Sequence, residues 1–202
     1  MNQMEKEKNM ILFEGDYLNG KRNGHGKEYS YNGKVIYEGE YLNGKRTGKG
    51  KIFDYKTGKL QYAGELLDGI RNGKGKKYDY NTGQLEYDGE YLNGIKNGKG
   101  KEYNLNVRSP LILSYDGEFL NGIKNGKGKE YGYENGVLEF EGEFINGIKN
   151  GKAKEYIQGR VVFEGEYLKA KRNGKGKEYD CFNGKLKYEG EYLNGKRKEK
   201  IK

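Results

Sequence analysis

The sequence predicts an all-β protein, an elongated repeat array of stacked antiparallel β-hairpins, and three observations carry that prediction. One phrase returns eight times, opening at Phe13, Tyr37, Tyr62, Tyr87, Tyr115, Phe140, Phe163 and Tyr188, at intervals of 24, 25, 25, 28, 25, 23 and 25 residues. A period of that size marks stacked units that bury their apolar faces only against neighbours. Around each opening aromatic the residues alternate with period two, the pattern of a half-buried strand. The 35 glycines fall in every unit, and each would cost about 1 kcal/mol inside a helix.

Within a unit the first strand comes first. In the fourth repeat Leu85, Tyr87, Gly89 and Tyr91 share one face, and Glu86, Asp88 and Glu90 the other. An apolar residue stands two before the aromatic in every unit: Ile11, Val35, Leu60, Leu85, Leu113, Leu138, Val161 and Leu186. The glycine between the two aromatics leaves room for close packing. Pairs such as Asn19-Gly20, Asn43-Gly44 and Asn93-Gly94 follow; they accept positive φ and open hairpin turns. A second strand then runs through a Gly-x-Gly-Lys stretch, Gly-Lys-Gly-Lys-Glu before Tyr103, to a closing Tyr or Phe, as also at Tyr29 and Phe53. A further turn, for instance Thr57-Gly58 or Asn183-Gly184, leads to the next unit. About fifteen or sixteen strands at ~4.8 Å spacing make a twisted ribbon on the order of 70 Å long, with tips recurring every ~10 Å. Residues 13–197 read as the eight repeats, 1–12 as a charged cap segment and 198–202 as a basic tail.

Composition alone points toward disorder, with 33% hydrophobic and 34% charged residues and no Trp. The 20 Tyr and 7 Phe, fixed in the repeat, argue the other way, since rings bury large areas per residue. Cys181 is the only cysteine, so no internal disulfide forms and nothing suggests an oxidising compartment. The N-terminal segment is charged and lacks the apolar run of a signal peptide. No run approaches the roughly 18 apolar residues of a membrane span. The expectation is a cytoplasmic protein, with association to cytoskeleton or membrane left open.

The phrase Tyr-x-Gly-Glu-Tyr-x-x-Gly-x-x-x-Gly-x-Gly-x-x-Tyr, at Tyr37–Phe53 (with Phe closing) and Tyr87–Tyr103, resembles the MORN repeat, the membrane occupation and recognition nexus motif. The resemblance runs from Phe13 to about Arg197. The spacer, as in Asn183-Gly184-Lys185-Leu186, is also similar to YwqK-type antitoxin repeats. Resemblance to MORN proteins implies a single-layer hairpin array with an aromatic groove. It implies non-enzymatic scaffolding, cytoskeletal or ciliary assembly, tethering of cytoskeleton to membrane, and docking of a partner segment. Binding of acidic phospholipid has been proposed for the family.

The departures from the phrase are specific. Lys169-Ala170 replace Asn-Gly in the seventh repeat, which predicts an altered hairpin tip. Ala153 replaces a strand glycine, and Leu66 replaces an aromatic. The fourth spacer is three residues longer than usual and holds the only proline, Pro110.

Three sets of residues are candidates for binding. Every hairpin turn carries a base: Arg22, Arg46, Arg71, Lys96, Lys124, Lys149, Arg172 and Arg197. With a net charge of +9, such a stripe could attract anionic lipid at about 1 kcal/mol per residue. The bland reading has these bases solvate the edge and pair with glutamates across strands. Next, the central repeats carry Ile70, Ile95, Ile123 and Ile148 where the outer ones carry Lys21, Lys45, Lys171 and Lys196. An exposed apolar row marks an interaction site; duplication of one unit, each Ile packing on its neighbour, explains it equally. Last, Tyr17, Tyr41, Tyr91, Phe119, Phe144, Tyr167 and Tyr192 form an aromatic ladder. It reads mainly as core, although an open groove would let these rings anchor a helix or peptide.

Catalysis has little support. His25 and Cys181 are the only His and Cys, which excludes a metal cluster built from those two residue types, and no cofactor is implied. Gly98-Lys99-Gly100-Lys101 lacks the third glycine of a dinucleotide loop, and the Gly-Lys-Ser/Thr of a P-loop is absent. Nucleic acid is disfavoured because acids repeat beside the bases. The sequence therefore predicts a scaffold or adaptor that docks a protein partner along its groove or tip row. The alternative is a peripheral membrane adaptor on acidic phospholipid. Pairing of two copies through an end strand remains open to either.

Overall fold

The computed structural model describes residues 12–105 and 111–198. Nearly all of the N-terminal cap segment, the spacer around Pro110 and the tail past Lys198 lie outside the described residues. The chain falls into two compact units, Met1–Ile95 and Lys96–Lys202. The first holds β1 (Leu12–Leu18), β2 (Lys21–Tyr29), β3 (Val35–Leu42), β4 (Lys45–Phe53), β5 (Leu60–Leu67), β6 (Ile70–Tyr78) and β7 (Leu85–Leu92). With β8 (Ile95–Asn104) the second begins, followed by β9 (Ile112–Leu120), β10 (Ile123–Tyr131), β11 (Leu138–Ile145) and β12 (Ile148–Ile157). It ends with β13 (Arg160–Leu168), β14 (Lys171–Tyr179), β15 (Leu186–Leu193) and β16 (Lys196–Arg197). Within each unit every strand pairs antiparallel with the next in chain order. The fold is the expected all-β array of stacked hairpins.

The tips are two-residue turns. Asn43 and Gly44 have φ of 51° and 88°, the doubly positive pair of a type I′ turn, whose twist matches that of the flanking strands. From the second repeat on, each tip also bonds backward to the preceding repeat: the Gly44 N–H donates to the Arg22 carbonyl at 2.8 Å, and Gly69 to Arg46 likewise at 2.8 Å. Here the structure corrects the expectation of an altered tip at Lys169-Ala170. Those two residues take φ of 49° and 61°, Leu168 still faces Lys171, and the Ala170 N–H reaches the Lys149 carbonyl at 2.9 Å. Strand pairing on one side and the backward bond on the other hold the turn against its intrinsic cost.

The glycines open two further features. Gly39 faces Gly50 across β3 and β4, and the Tyr37 ring lies over the pair. A Cβ on Gly50 would sit 2.6 Å from Tyr37 Cε2, so only glycine admits the ring. At Gly48, φ is 58° beside a register shift in β3–β4 pairing. The Glu40 carboxylate fills that bulge and accepts from the Lys49 N–H at 3.1 Å. The first-strand acids thus have a backbone to hold.

Candidate docking surface

Strand alternation divides each repeat into two faces with different contents. On one face the opening and second aromatics alternate edge to face. In the first unit Tyr17 packs on Phe13, Phe13 on Tyr41 and Tyr41 on Tyr37, with centroids 5.1–5.3 Å apart. Leu66, 3% exposed, occupies the next slot, and rings resume with Tyr62–Tyr91 and Tyr91–Tyr87. In the second unit the ladder runs Phe119, Tyr115, Phe144, Phe140, Tyr167, Phe163, Tyr192, Tyr188. Edge-to-face geometry at these distances is the favoured one for aromatic pairs. Of the seven rings considered as partner anchors, Tyr41, Tyr91, Phe119, Phe144, Tyr167 and Tyr192 are at most 7% exposed, while Tyr17 is 59% exposed. Six of the seven therefore pack on their neighbours rather than face solvent.

The turn bases lie over this ladder. Arg46 faces Tyr41 across β3–β4, and its guanidinium sits 4.4 Å from the Tyr37 centroid. Arg22 covers Phe13, Arg71 Tyr62, Lys124 Tyr115, Lys149 Phe140 and Arg172 Phe163, at 4.1–4.9 Å. Lys96 lies 5.8 Å from the Phe119 centroid.

Most of these cations also meet a glutamate that the sequence reading did not single out. Glu28, 4% exposed, accepts from Arg22 at 2.6 Å, Arg46 at 2.5 Å and the Tyr41 hydroxyl at 2.8 Å. Lys96 pairs with Glu102 at 2.6 Å, and Glu130 takes Lys124 at 2.8 Å and Lys149 at 2.9 Å. Arg172 bridges Glu155 and Glu178 at 2.6 Å each. Burial pushes the Glu28 carboxyl upward, but Arg46, Tyr41 and Arg22 outweigh it and hold the group below the usual glutamate range. Burial raises Tyr37 to about 12. The regular signal for these glutamates is their place six residues after the base, as in Arg22–Glu28 and Lys124–Glu130.

The opposite face is polar. Lysines and acids pair across neighbouring repeats, as in Lys27–Glu38 at 3.4 Å, Lys76–Asp88 at 2.9 Å and Lys154–Glu164 at 3.3 Å. Each unit has a shallow trough among these side chains. In the first it runs over Gly39, Gly50, Gly64 and Gly75, with a volume of about 680 Å³. In the second it passes over Gly128, Gly142, Ala153 and Gly165, with a volume of about 750 Å³.

At the tip edge the apolar set is larger than the sequence reading proposed. Ile70, Ile95, Ile123 and Ile148 are 47–51% exposed. Across the turn they meet the last residue of the preceding strand: Leu67 faces Ile70, Leu120 faces Ile123 and Ile145 faces Ile148. Leu18, Leu42, Leu67, Leu92, Leu120, Ile145, Leu168 and Leu193 are all 49–58% exposed. Ile70 and Ile123 also lean toward the next tip, their Cγ2 atoms lying 3.5 Å and 3.4 Å from the Cβ positions of Gly94 and Gly147. The other edge, where hairpins join, presents Tyr31, Tyr55, Tyr80, Tyr133 and Phe182, each at least 48% exposed. Those rings fall outside the repeated phrase, which is why the sequence reading passed over them.

Among the described residues no cluster of three or more His, Cys, Asp or Glu could hold a metal ion. A comparison with the curated proteins found no match. The family model of the MORN repeat matches eight times, at residues 13–35, 37–54, 62–84, 87–104, 115–137, 140–158, 163–181 and 188–198. Those spans open at the same eight aromatics that open the ladder's repeats and cover well over half of the sequence. The chain belongs to the MORN repeat family.

Proposed function

We propose that this protein is a non-enzymatic scaffold or adaptor that docks a protein partner along its hairpin-tip edge, and so serves assembly or the tethering of cytoskeleton to membrane. The observation that carries the reading is the half-exposed apolar edge. Every tip offers a Leu or Ile before the turn, and four tips add an Ile after it. Repeated apolar side chains left half in solvent and flanked by lysines suit a partner with an apolar stripe and acidic flanks. The aromatic ladder and its bases are engaged with one another, which weakens the case for either as the partner surface. Lipid binding through the stripe would require Arg22, Arg46, Lys124, Lys149 and Arg172 to leave their glutamates.

The test is affinity capture from the native cell with the wild-type chain and an Ile95→Lys, Ile123→Lys variant. The variant is expected to keep its circular dichroism and lose the captured proteins. Full retention of those proteins contradicts docking at the tips. Flotation with anionic and neutral vesicles across salt addresses the membrane alternative, and salt-sensitive binding to anionic vesicles alone would favour it.

A further inference from the structure

The ion-pair lattice over the rings is interrupted in the first unit. Elsewhere the residue facing the next repeat's opening aromatic is a glutamate: Glu28 faces Tyr37, Glu130 faces Phe140, Glu155 faces Phe163 and Glu178 faces Tyr188. In the second and third repeats that position holds Ile52, facing Tyr62, and Lys77, facing Tyr87. A base normally meets the glutamate of its own repeat, six residues on, or that of the preceding repeat; Glu28 holds both Arg22 and Arg46 in this way. For Arg71 those two positions are Lys77 and Ile52.

Half-buried Arg71 meets the Tyr62 ring at 4.9 Å and the Tyr91 ring at 6.0 Å, and no carboxylate among the described residues forms an ion pair with it. Lys77 does not share the need, because its ammonium pairs with Glu86 at 2.5 Å.

A second group lacks the same partner. In the second repeat the Tyr41 hydroxyl donates to Glu28. The equivalent hydroxyl of Tyr91, a residue 5% exposed, is buried with no hydrogen-bond partner. The Tyr192 hydroxyl also lacks one, but there Glu178 is present and accepts from Arg172 and Arg197, whereas beside Tyr91 that carboxylate itself is missing. Leaving a buried hydroxyl unpaired is costly enough that such groups are rare and call for a cause. At Ile52 the question does not arise, because Leu66 stands where the tyrosine would be. At Lys77 a guanidinium and a hydroxyl both lack the acceptor that their counterparts share.

We propose that Arg71 and Tyr91 form a receptor for one carboxylate from outside the chain, supplied by an acidic side chain of a docked polypeptide. The guanidinium and the phenol both donate, as Arg46 and Tyr41 do to Glu28. Charge-assisted bonds of this kind are about twice as strong as neutral ones. A single negative charge suits the place better than a phosphate dianion, because the Glu86 carboxylate stands on Lys77 close by. Only the source of the carboxylate rests on the docking reading; the receptor belongs to the isolated chain.

The test follows the arginine Nε–Hε resonances of the full chain as sodium acetate replaces chloride at constant ionic strength. The Arg71 signal is expected to move along a saturating curve, several-fold further than those of Arg46 and Arg172, whose guanidiniums are already paired. Ile52→Glu places a carboxylate beside Arg71 from the neighbouring strand and should reduce its response to the level of Arg46. Equal small shifts at all arginines, or an Arg71 response that survives Ile52→Glu, overturn the receptor. A larger Arg71 shift with inorganic phosphate than with acetate overturns its assignment to a carboxylate. Loss of partners in the tip variant without any acetate response would leave docking intact and remove this site alone.

Discussion

At the scale of single residues the structure depends on a few positions that tolerate no ordinary substitution. Gly50→Ala would set a methyl group 2.6 Å from the Tyr37 ring and its hydroxyl. Overpacking against a ring held on both sides should destabilise the chain by about 1–3 kcal/mol, read as a lower midpoint in urea. The seventh tip runs the other way. Lys169 and Ala170 hold left-handed backbone at φ 49° and 61°, strain of order 1–3 kcal/mol per residue in general. Replacing them with Asn-Gly, as other tips have, should raise stability by about 1–2 kcal/mol; an unchanged midpoint would mean that the turn is not strained. The sequence reading took the missing Asn-Gly as a change of shape. Side-chain preference acts on the cost of a turn, and the pairing of Leu168 with Lys171 decides its geometry.

At the scale of the hairpin the glutamates tie ring, base and neighbouring repeat together. Glu28→Ala removes the acceptor of Arg22, Arg46 and Tyr41 at once, and should cost about 2–3 kcal/mol. The pH dependence has two arms. Glu28, Glu130 and Glu178 are held below the usual range by their cations, against burial that alone would raise them. The unfolded chain therefore binds more protons, and this contribution is full above the ordinary glutamate value and lost as pH falls through the depressed ones. Burial raises Tyr37 and Tyr62 to about 12, so their contribution is full below the ordinary tyrosine value near 10 and lost as pH rises toward about 12. Tyrosinate absorbance and circular dichroism recorded together should show buried tyrosines ionising with the loss of the fold. Ionisation of Tyr37 and Tyr62 well before unfolding would contradict their burial.

The strands themselves were legible. The phrase placed the first strand of the fourth repeat over Leu85 to Tyr91 and the second up to Tyr103, where β7 and β8 lie. The glutamates were not legible, for a physical reason. The conspicuous closing aromatic draws the period-two frame to itself, yet Tyr29 bonds Glu14 on the polar face. Glu28 takes the ring face beside a register shift between Glu28 and Tyr29, and alternation alone does not disclose a bulge.

At the scale of the whole molecule the repeats assign different work to different surfaces. In each unit one face holds the fold through rings, bases and glutamates, the other is a polar face zipped by lysine–acid pairs, and the hairpin tips remain apolar and half exposed. The family and the hairpin array could be read from the spacing of glycines and aromatics. Which surface stays open could not, because exposure depends on what stacks against each residue: Tyr17 and Tyr41 occupy the same place in the phrase and are 59% and 3% exposed.

The most direct test is photo-cross-linking in the native cell, with the reactive residue placed either at Leu92 on the tip edge or at Tyr80 on the opposite edge, positions 51% and 56% exposed. The docking account predicts a partner adduct from Leu92 and none from Tyr80. An adduct from Tyr80 alone would contradict it and move the docking surface to the edge where the hairpins join.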